Sequence, residues 1–300
     1  MRALRLTGPH QATIATVPEP QPGQGEVVVR VKACGVCASD LNAWRGVPGI
    51  EYPLPHGAPG HEVWGELVET GQAVTGLVWN GLAEYAVARS EHLLTLQAPF
   101  DRTPLLGEPL ACAMNVVRRA AIRAGERVAL VGFGYLAALV VQLLPAHTGG
   151  WIALARREAS RALALRLGAE AAYDFAAVPS GLWDSVPLVI EAAGVQSTLD
   201  YATWLVAYGG RLVIAGYHAD GPRTVNLQSW NWKGIDVINA HERQPQVSLD
   251  ALRAALGLVE ERGLALDGLL SHHFGLADAA AAFEATATHT NGFIKAVVHL

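Results

Sequence analysis

The chain has 300 residues, enough for two cores rather than one, and 51% of them are apolar while only 16% are charged. The formal charge is −5, from 22 basic and 27 acidic residues with no basic run. That pattern argues against a nucleic-acid or anionic-membrane partner, and the low charged fraction, against an ordinary value of about 25%, leads us to expect a homo-oligomer, a dimer or tetramer.

The opening residues, Met1-Arg2-Ala3-Leu4-Arg5, lack the apolar core of a secretory leader. The three cysteines, Cys34, Cys37 and Cys112, make a poor disulfide framework, and a cytoplasmic protein is expected. Up to about residue 114 the chain is rich in short strand signals. The segment 26–33 (EVVVRVKA) alternates and is β-branched, and 63–69 and 83–88 read as further strands between Gly and Pro turns. An antiparallel, barrel-like domain is expected there. From 115 to 265 strands are predicted at 127–131, 151–155, 188–191, 211–215 and 236–239. Helices are predicted between or after them at 135–144, 160–167, 196–206 and 248–261. Such alternation predicts a parallel sheet covered on both faces, an α/β fold. The longest apolar run, 128–146, is interrupted by Gly132, Gly134 and Pro145 and falls short of the roughly 20 residues of a membrane span. It reads as a buried strand, turn and helix. The end of the chain carries an Ala-rich helix over 276–287 and a strand over 293–299, with His272 and His273 in a turn. Two domains with a cleft between them are the simplest organisation.

The strand at 127–131 runs into Gly132-Phe133-Gly134-Tyr135-Leu136-Ala137 and then a helix. This is G-x-G-x-x-A: the first Gly permits a tight turn, the second lets a pyrophosphate approach the backbone, and the small third residue lets helix and strand pack closely. The helix N-terminus adds free N–H groups and a positive dipole end. A dinucleotide site is expected. An NAD-preferring site ends the next strand on Asp or Glu. Here the run is Trp151-Ile152-Ala153-Leu154-Ala155-Arg156-Arg157, with Ala155 at the acidic position and a pair of guanidinium groups after it. An arginine fork suits a 2′-phosphate, so NADP(H) is expected over NAD(H).

Upstream, Cys34-Gly35-Val36-Cys37-Ala38-Ser39-Asp40 and Gly60-His61-Glu62 bring together a thiolate, an imidazole, a hydroxyl and carboxylates. A catalytic zinc takes three protein ligands and keeps its fourth position open. Cys37 and His61 are the first two candidates. The third is Glu108 or Cys112, four apart and on one face if that segment is helical; spacing alone leaves both open. Asp40 and Glu62 can each accept a hydrogen bond from a ligand imidazole, and Ser39 can carry a proton.

These residues resemble the zinc-dependent medium-chain dehydrogenase/reductase family, the alcohol and polyol dehydrogenases. The similarity also takes in Pro59-Gly60-His61-Glu62, Gly81-Leu82-Ala83-Glu84-Tyr85, Glu108-Pro109-Leu110 and Gly292-Phe293-Ile294-Lys295. The resemblance implies a GroES-like β-barrel catalytic domain made of 1–114 and 266–300, and a Rossmann doubly wound sheet over 115–265. It implies zinc on Cys37 and His61, favours Glu108 as third ligand, gives Ser39 the proton relay and sets Lys295 on the cofactor pyrophosphate. Three departures follow. Only Leu77, Val78, Trp79 and Asn80 stand between Gly76 and Gly81, where relatives carry the lobe that binds a structural zinc, so a single catalytic zinc is expected. Asn42 replaces a relay histidine, and Ala38 replaces a basic residue found after the zinc cysteine in some relatives. The expected activity is hydride transfer between NADP(H) and a small alcohol or carbonyl. A zinc-free quinone or enone reductase and a non-catalytic NADPH-binding module are the competing readings.

Overall fold

The computed structural model describes residues 1–266, 268–290 and 292–300. Met1–Ala111, Gln244–Arg253 and Leu266–Leu300 form one compact unit, and Cys112–Arg243 with Ala254–Ala265 form a second. Among the described residues no helix is long and apolar enough to cross a membrane.

The first unit opens with a hairpin of β1 (Arg2–Gly8) and β2 (Gln11–Thr16). It continues through β3 (Glu26–Gly35), the short helix α1 (Asp40–Arg45), β4 (Glu62–Leu67), β5 (Ala73–Gly76), β6 (Tyr85–Arg89) and β7 (Leu93–Thr95). Helix α2 (Gly107–Ala120) follows and ends in the second unit. There the order is β8 (Val128–Val131), α3 (Tyr135–Gln142), β9 (Trp151–Leu154), α4 (Glu158–Arg166), β10 (Ala171–Tyr173), β11 (Val186–Glu191) and α5 (Gln196–Leu205). It is completed by β12 (Val206–Ile214), α6 (Leu227–Lys233) and β13 (Asp236–Asn239). After α7 (Pro245–Arg262) the chain returns to the first unit with β14 (His272–Gly275), α8 (Ala279–Thr288) and β15 (Ala296–His299).

Strand β3 organises the first unit. It pairs antiparallel with β4, with β6 along its first half and with β15 along its last residues. The sheet order is β14-β15-β3-β4-β5-β7, with β6 also on β3. Alternation sets its inner face: Val29, Val31 and Ala33 are buried while Arg30 is exposed. Leu4, Leu6, Leu82, Phe283 and Val298 pack on that face, each worth about 1.5–3 kcal/mol of apolar burial.

The second unit is a parallel six-stranded sheet in the order β10-β9-β8-β11-β12-β13. Numbered along this unit, that is 3-2-1-4-5-6, the doubly wound order of dinucleotide-binding sheets. Val128–Val131 and Trp151–Leu154 are buried throughout, as strands covered on both faces must be.

Most predicted elements of the second unit appear with ends moved by a few residues. Others differ. Strand β12 starts at Val206, ahead of the expected 211, and continues directly from α5. The last helix begins at Ala279, after a single 3-10 turn over Leu276–Asp278. His272 and His273 lie in β14, not in a turn, because that segment pairs parallel with β15. The β1–β2 hairpin and α6 have no counterpart among the predicted elements.

Candidate active site

Cys37 leaves β3 two residues after its end, in a turn that becomes α1; the Asp40 N–H donates to the Cys37 carbonyl at 3.1 Å. The Asp40 side chain folds back, and its Oδ2 accepts the Cys37 N–H at 2.9 Å. Helix α1 has only six residues, too few to stand alone, and is pinned from α8. Trp44 stacks on Phe283 with ring centroids 5.1 Å apart, and its indole N–H donates to Glu284 at 2.7 Å. That anchor holds Asp40 in the interior, where it is 2% exposed.

His61 precedes β4, which pairs with β3. Its Nδ1 faces acceptors only: Asp40 Oδ1 at 3.1 Å and the Pro59 carbonyl at 3.1 Å. The Nδ1 proton is therefore retained, and Nε2 is the nitrogen that would serve a ligand, giving up any proton it carries in exchange. Burial disfavours the imidazolium, yet hydrogen bonds to Asp40 and Cys37 outweigh it and hold His61 well above the ordinary histidine range. Burial pushes the Asp40 carboxyl up, against the His61 and Cys37 hydrogen bonds that favour its charge.

Among the described residues, donor atoms of Cys37, His61 and Glu62 lie within 4.8 Å of one another. A soft thiol, an imidazole and a carboxylate at that spacing are the donor set of a zinc site. Glu62 is itself engaged: it is 1% exposed and forms an ion pair with Lys295, 2.6 Å from Nζ. Glu108 stands in the first turn of α2 with Cys112 one turn on, half-buried like it, and neither is in that donor group. Ser39 is half-buried in the turn before α1. Trp79 packs by His61 with centroids 5.8 Å apart and is 64% exposed, whereas Trp44 and Trp64 are buried core residues. Cys34 is fully buried, and burial pushes its thiol up to about 12, with the charges of Asp40 and Glu62 adding to the effect. It is a core thiol.

In the second unit the loop after β8 has the geometry its sequence requires. Gly132 has φ +89°, and a Cβ there would meet Ala193 Cβ at 2.6 Å, so no side chain fits. Around Gly134, the residue before α3, there is open space where a Cβ would stand, which leaves the backbone approachable. Phe133 turns inward onto Trp151 with rings 5.7 Å apart. Tyr135 and Leu136 are half-buried in the first turn of α3, and Ala137 is buried. The loop sits between β9 and β11, where the strand order reverses, the place at which such sheets bind ligands. Ala155, the residue after β9, is buried, Arg156 is exposed and Arg157 is half-buried just ahead of α4. Burial and the Arg156 charge hold the Arg157 guanidinium below its ordinary value. Asn239 ends β13, and its carbonyl accepts from Arg119 at 3.1 Å; His241 stacks on Tyr217.

Comparison with known proteins agrees with this geometry. Residues 23–98 match the alcohol dehydrogenase GroES-like domain. A protein of Mycobacterium tuberculosis named "Probable alcohol dehydrogenase AdhA" is 30% identical over 267 residues, 74% of this chain and 75% of its own. Other relatives carry the names sorbitol dehydrogenase, D-arabinitol dehydrogenase and L-galactonate-5-dehydrogenase. A Sinorhizobium meliloti 1021 protein named "putative zinc-binding dehydrogenase" and bound to NADP superposes with a TM-score of 0.84 at 25% identity, over 100% of this chain and 99% of that one. The quinone oxidoreductase of Thermus thermophilus, solved also with NADPH, superposes with a TM-score of 0.79 at 29% identity over 100% of both chains. The chain belongs to the zinc-type medium-chain dehydrogenase/reductase family, with a GroES-like domain and a Rossmann-type parallel sheet. It is an oxidoreductase of the alcohol-dehydrogenase kind.

Proposed function

We propose that the chain is a zinc-dependent oxidoreductase that moves a hydride between an alcohol or polyol, or the matching carbonyl, and NADP(H). One observation carries the zinc part. Donor atoms of Cys37 and His61 converge, with Glu62, within 4.8 Å of one another, and Asp40 stands behind the imidazole at 3.1 Å from Nδ1. A thiol and an imidazole so placed, with a carboxylate orienting the ring, suit a zinc ion.

In this reading Cys37 and His61 would hold the single catalytic zinc with Glu108, the third ligand by family pattern. Bound zinc supplies Lewis acidity to the substrate oxygen, and the nicotinamide supplies the hydride acceptor. The chain does the rest. Asp40 keeps the His61 proton on Nδ1 and so aims Nε2. Ser39 Oγ would relay the hydroxyl proton, accepting it while passing its own on to the ribose hydroxyl or water, as the carbon gives its hydride to NADP and the alcohol becomes a carbonyl. Glu62 neutralises Lys295, which the family pattern assigns to the pyrophosphate. The loop from Gly132 to Ala137 presents its N–H groups to that pyrophosphate, and Arg156 with Arg157 receives the 2′-phosphate. The homo-oligomer and the cytoplasmic location belong to the same proposal.

Cys37→Ala should abolish both zinc retention and turnover in a screen of secondary alcohols, sugar alcohols and cyclitols with NADP. Near-native turnover by Cys37→Ala in metal-free buffer would sink the zinc part. The second reading, a zinc-free quinone or enone reductase, draws on the quinone oxidoreductase that superposes over its full length. Metal-free, NADPH-dependent reduction of a quinone with no turnover of any alcohol would favour it.

A further inference from the structure

Glu191 ends the buried apolar strand β11 and is 0% exposed, yet it is a carboxylate far in sequence from the proposed zinc donors. Burying such a charge costs several kcal/mol unless hydrogen bonds replace its water. Here they do. Oε1 accepts the N–H groups of Ala193 and Gly194 at 2.8 Å each and the Thr198 hydroxyl at 2.7 Å. Oε2 faces His218 Nε2 at 3.0 Å. The other imidazole nitrogen, Nδ1, accepts from Arg223 Nε at 2.8 Å. A guanidinium N–H only donates, so the imidazole carries its proton on Nε2 and donates it to Glu191. Arg223 also donates to the Gly194 carbonyl at 2.8 Å and pairs with Asp220.

These contacts join the loops that leave three adjacent strands. Ala193, held by Glu191, is the residue that a side chain at Gly132 would strike, so the β11 loop backs the G-x-G-x-x-A turn after β8. Gly216, just after β12, lies so close that a Cβ there would meet Glu191 Oε2 at 2.7 Å. The Ala215 and Gly216 N–H groups donate to the Glu191 carbonyl at 2.8 and 2.9 Å. His218 and Arg223 belong to the same segment after β12. The carboxyl ends of β8, β11 and β12 thus close on one buried carboxylate, on the side of the sheet where a dinucleotide binds.

We propose that Glu191, linked through His218 to Arg223, is a positioning residue for the dinucleotide: it fixes the two neighbouring loops against the phosphate-binding turn. The inference rests on the nucleotide reading above. Glu191→Gln is the sharp test. The amide keeps an acceptor for the Ala193 and Gly194 N–H groups but turns an N–H toward His218 Nε2–H. His218 cannot answer by moving its proton, because Arg223 occupies Nδ1. His218→Ala breaks the same link, whereas His218→Gln retains one acceptor and one donor.

NADPH binding is followed by fluorescence titration of the full chain, together with zinc content and cofactor KM and kcat. Glu191→Gln and His218→Ala should weaken NADPH binding on the order of tenfold, the scale of one unsatisfied buried polar group. The cofactor KM should rise with it, while kcat changes less than twofold and zinc content stays at the wild-type value. His218→Gln should restore most of the affinity. If the wild-type chain binds NADPH and the variants bind it equally well, or if they only melt earlier with unchanged affinity, the positioning role is wrong. If the wild-type chain itself binds neither NADPH nor NADH, the nucleotide reading fails and takes this inference with it.

Discussion

Two cysteines three positions apart have opposite fates, and the difference is burial. Cys34 sits on β3 inside the core of the first unit, packed among Val63, Leu82 and Val298. Cys37 stands beyond the strand end, half-buried and beside His61. Cys34 has its pKa raised from 9.0 to about 12, first by burial and then by the nearby carboxylates. The native chain then holds that proton where the unfolded chain has released it. The resulting stability is fully present below about pH 9 and is lost as the pH rises through about 12. Chemical denaturation of wild type and Cys34→Ala across this range should show their difference shrinking between pH 9 and the limit of measurement. A constant gap would mean that Cys34 ionises normally in the folded chain. The sequence alone could not separate the two thiols by environment, since both lie in one short motif. Pairing of β3 with β4 and β15 makes the distinction. Asp40 was legible as a partner for a ligand imidazole; the Lys295 contact to Glu62, 233 residues apart, was not.

At the scale of elements, legibility follows how local the cause is. The β8–turn–α3 unit is specified by its own residues: an apolar strand, Gly at the one positive φ, and a small residue at Ala137. Strand β14 is the contrary case. Its four residues, His272, His273, Phe274 and Gly275, have little strand preference of their own and are extended because β15 supplies the partner. Glu191 shows an intermediate case. A carboxylate closing the apolar run of β11 was visible, but its partner His218 lies on a loop 27 residues on. The end of β9 belongs to the local class. Ala155, followed by Arg156 and Arg157, stands where an acidic residue would repel a 2′-phosphate. Ala155→Asp should therefore shift cofactor preference toward NAD(H) by about tenfold or more in the ratio of kcat/KM values, the size of one charge-assisted contact. An unchanged ratio would remove the arginine pair from cofactor choice.

At the scale of the whole molecule, the chain divides its chemistry between two units. The first unit holds Cys37, His61, Asp40 and Glu62, and its chain runs through 1–111, then 244–253, and resumes at Leu266. The second holds a sheet whose strand order, 3-2-1-4-5-6, defines where a dinucleotide goes. Strand–helix alternation predicted that sheet; the pairing of the terminal strand β15 with β3 was not legible, because nothing in a short apolar strand names its partner. The surface agrees with the low charged fraction: Trp232, Leu227 and Tyr208 are 79%, 68% and 60% exposed. The proposed function requires one zinc, held by the donors of the first unit, for alcohol oxidation with NADP. The most direct measurement is the rate of NADP reduction by a responsive alcohol before chelation, after it, and after stepwise return of zinc. Chelation should abolish turnover, and returned zinc should restore it fully at about one ion per chain. Turnover that persists undiminished in the stripped protein, with metal content confirmed as nil, would contradict that requirement.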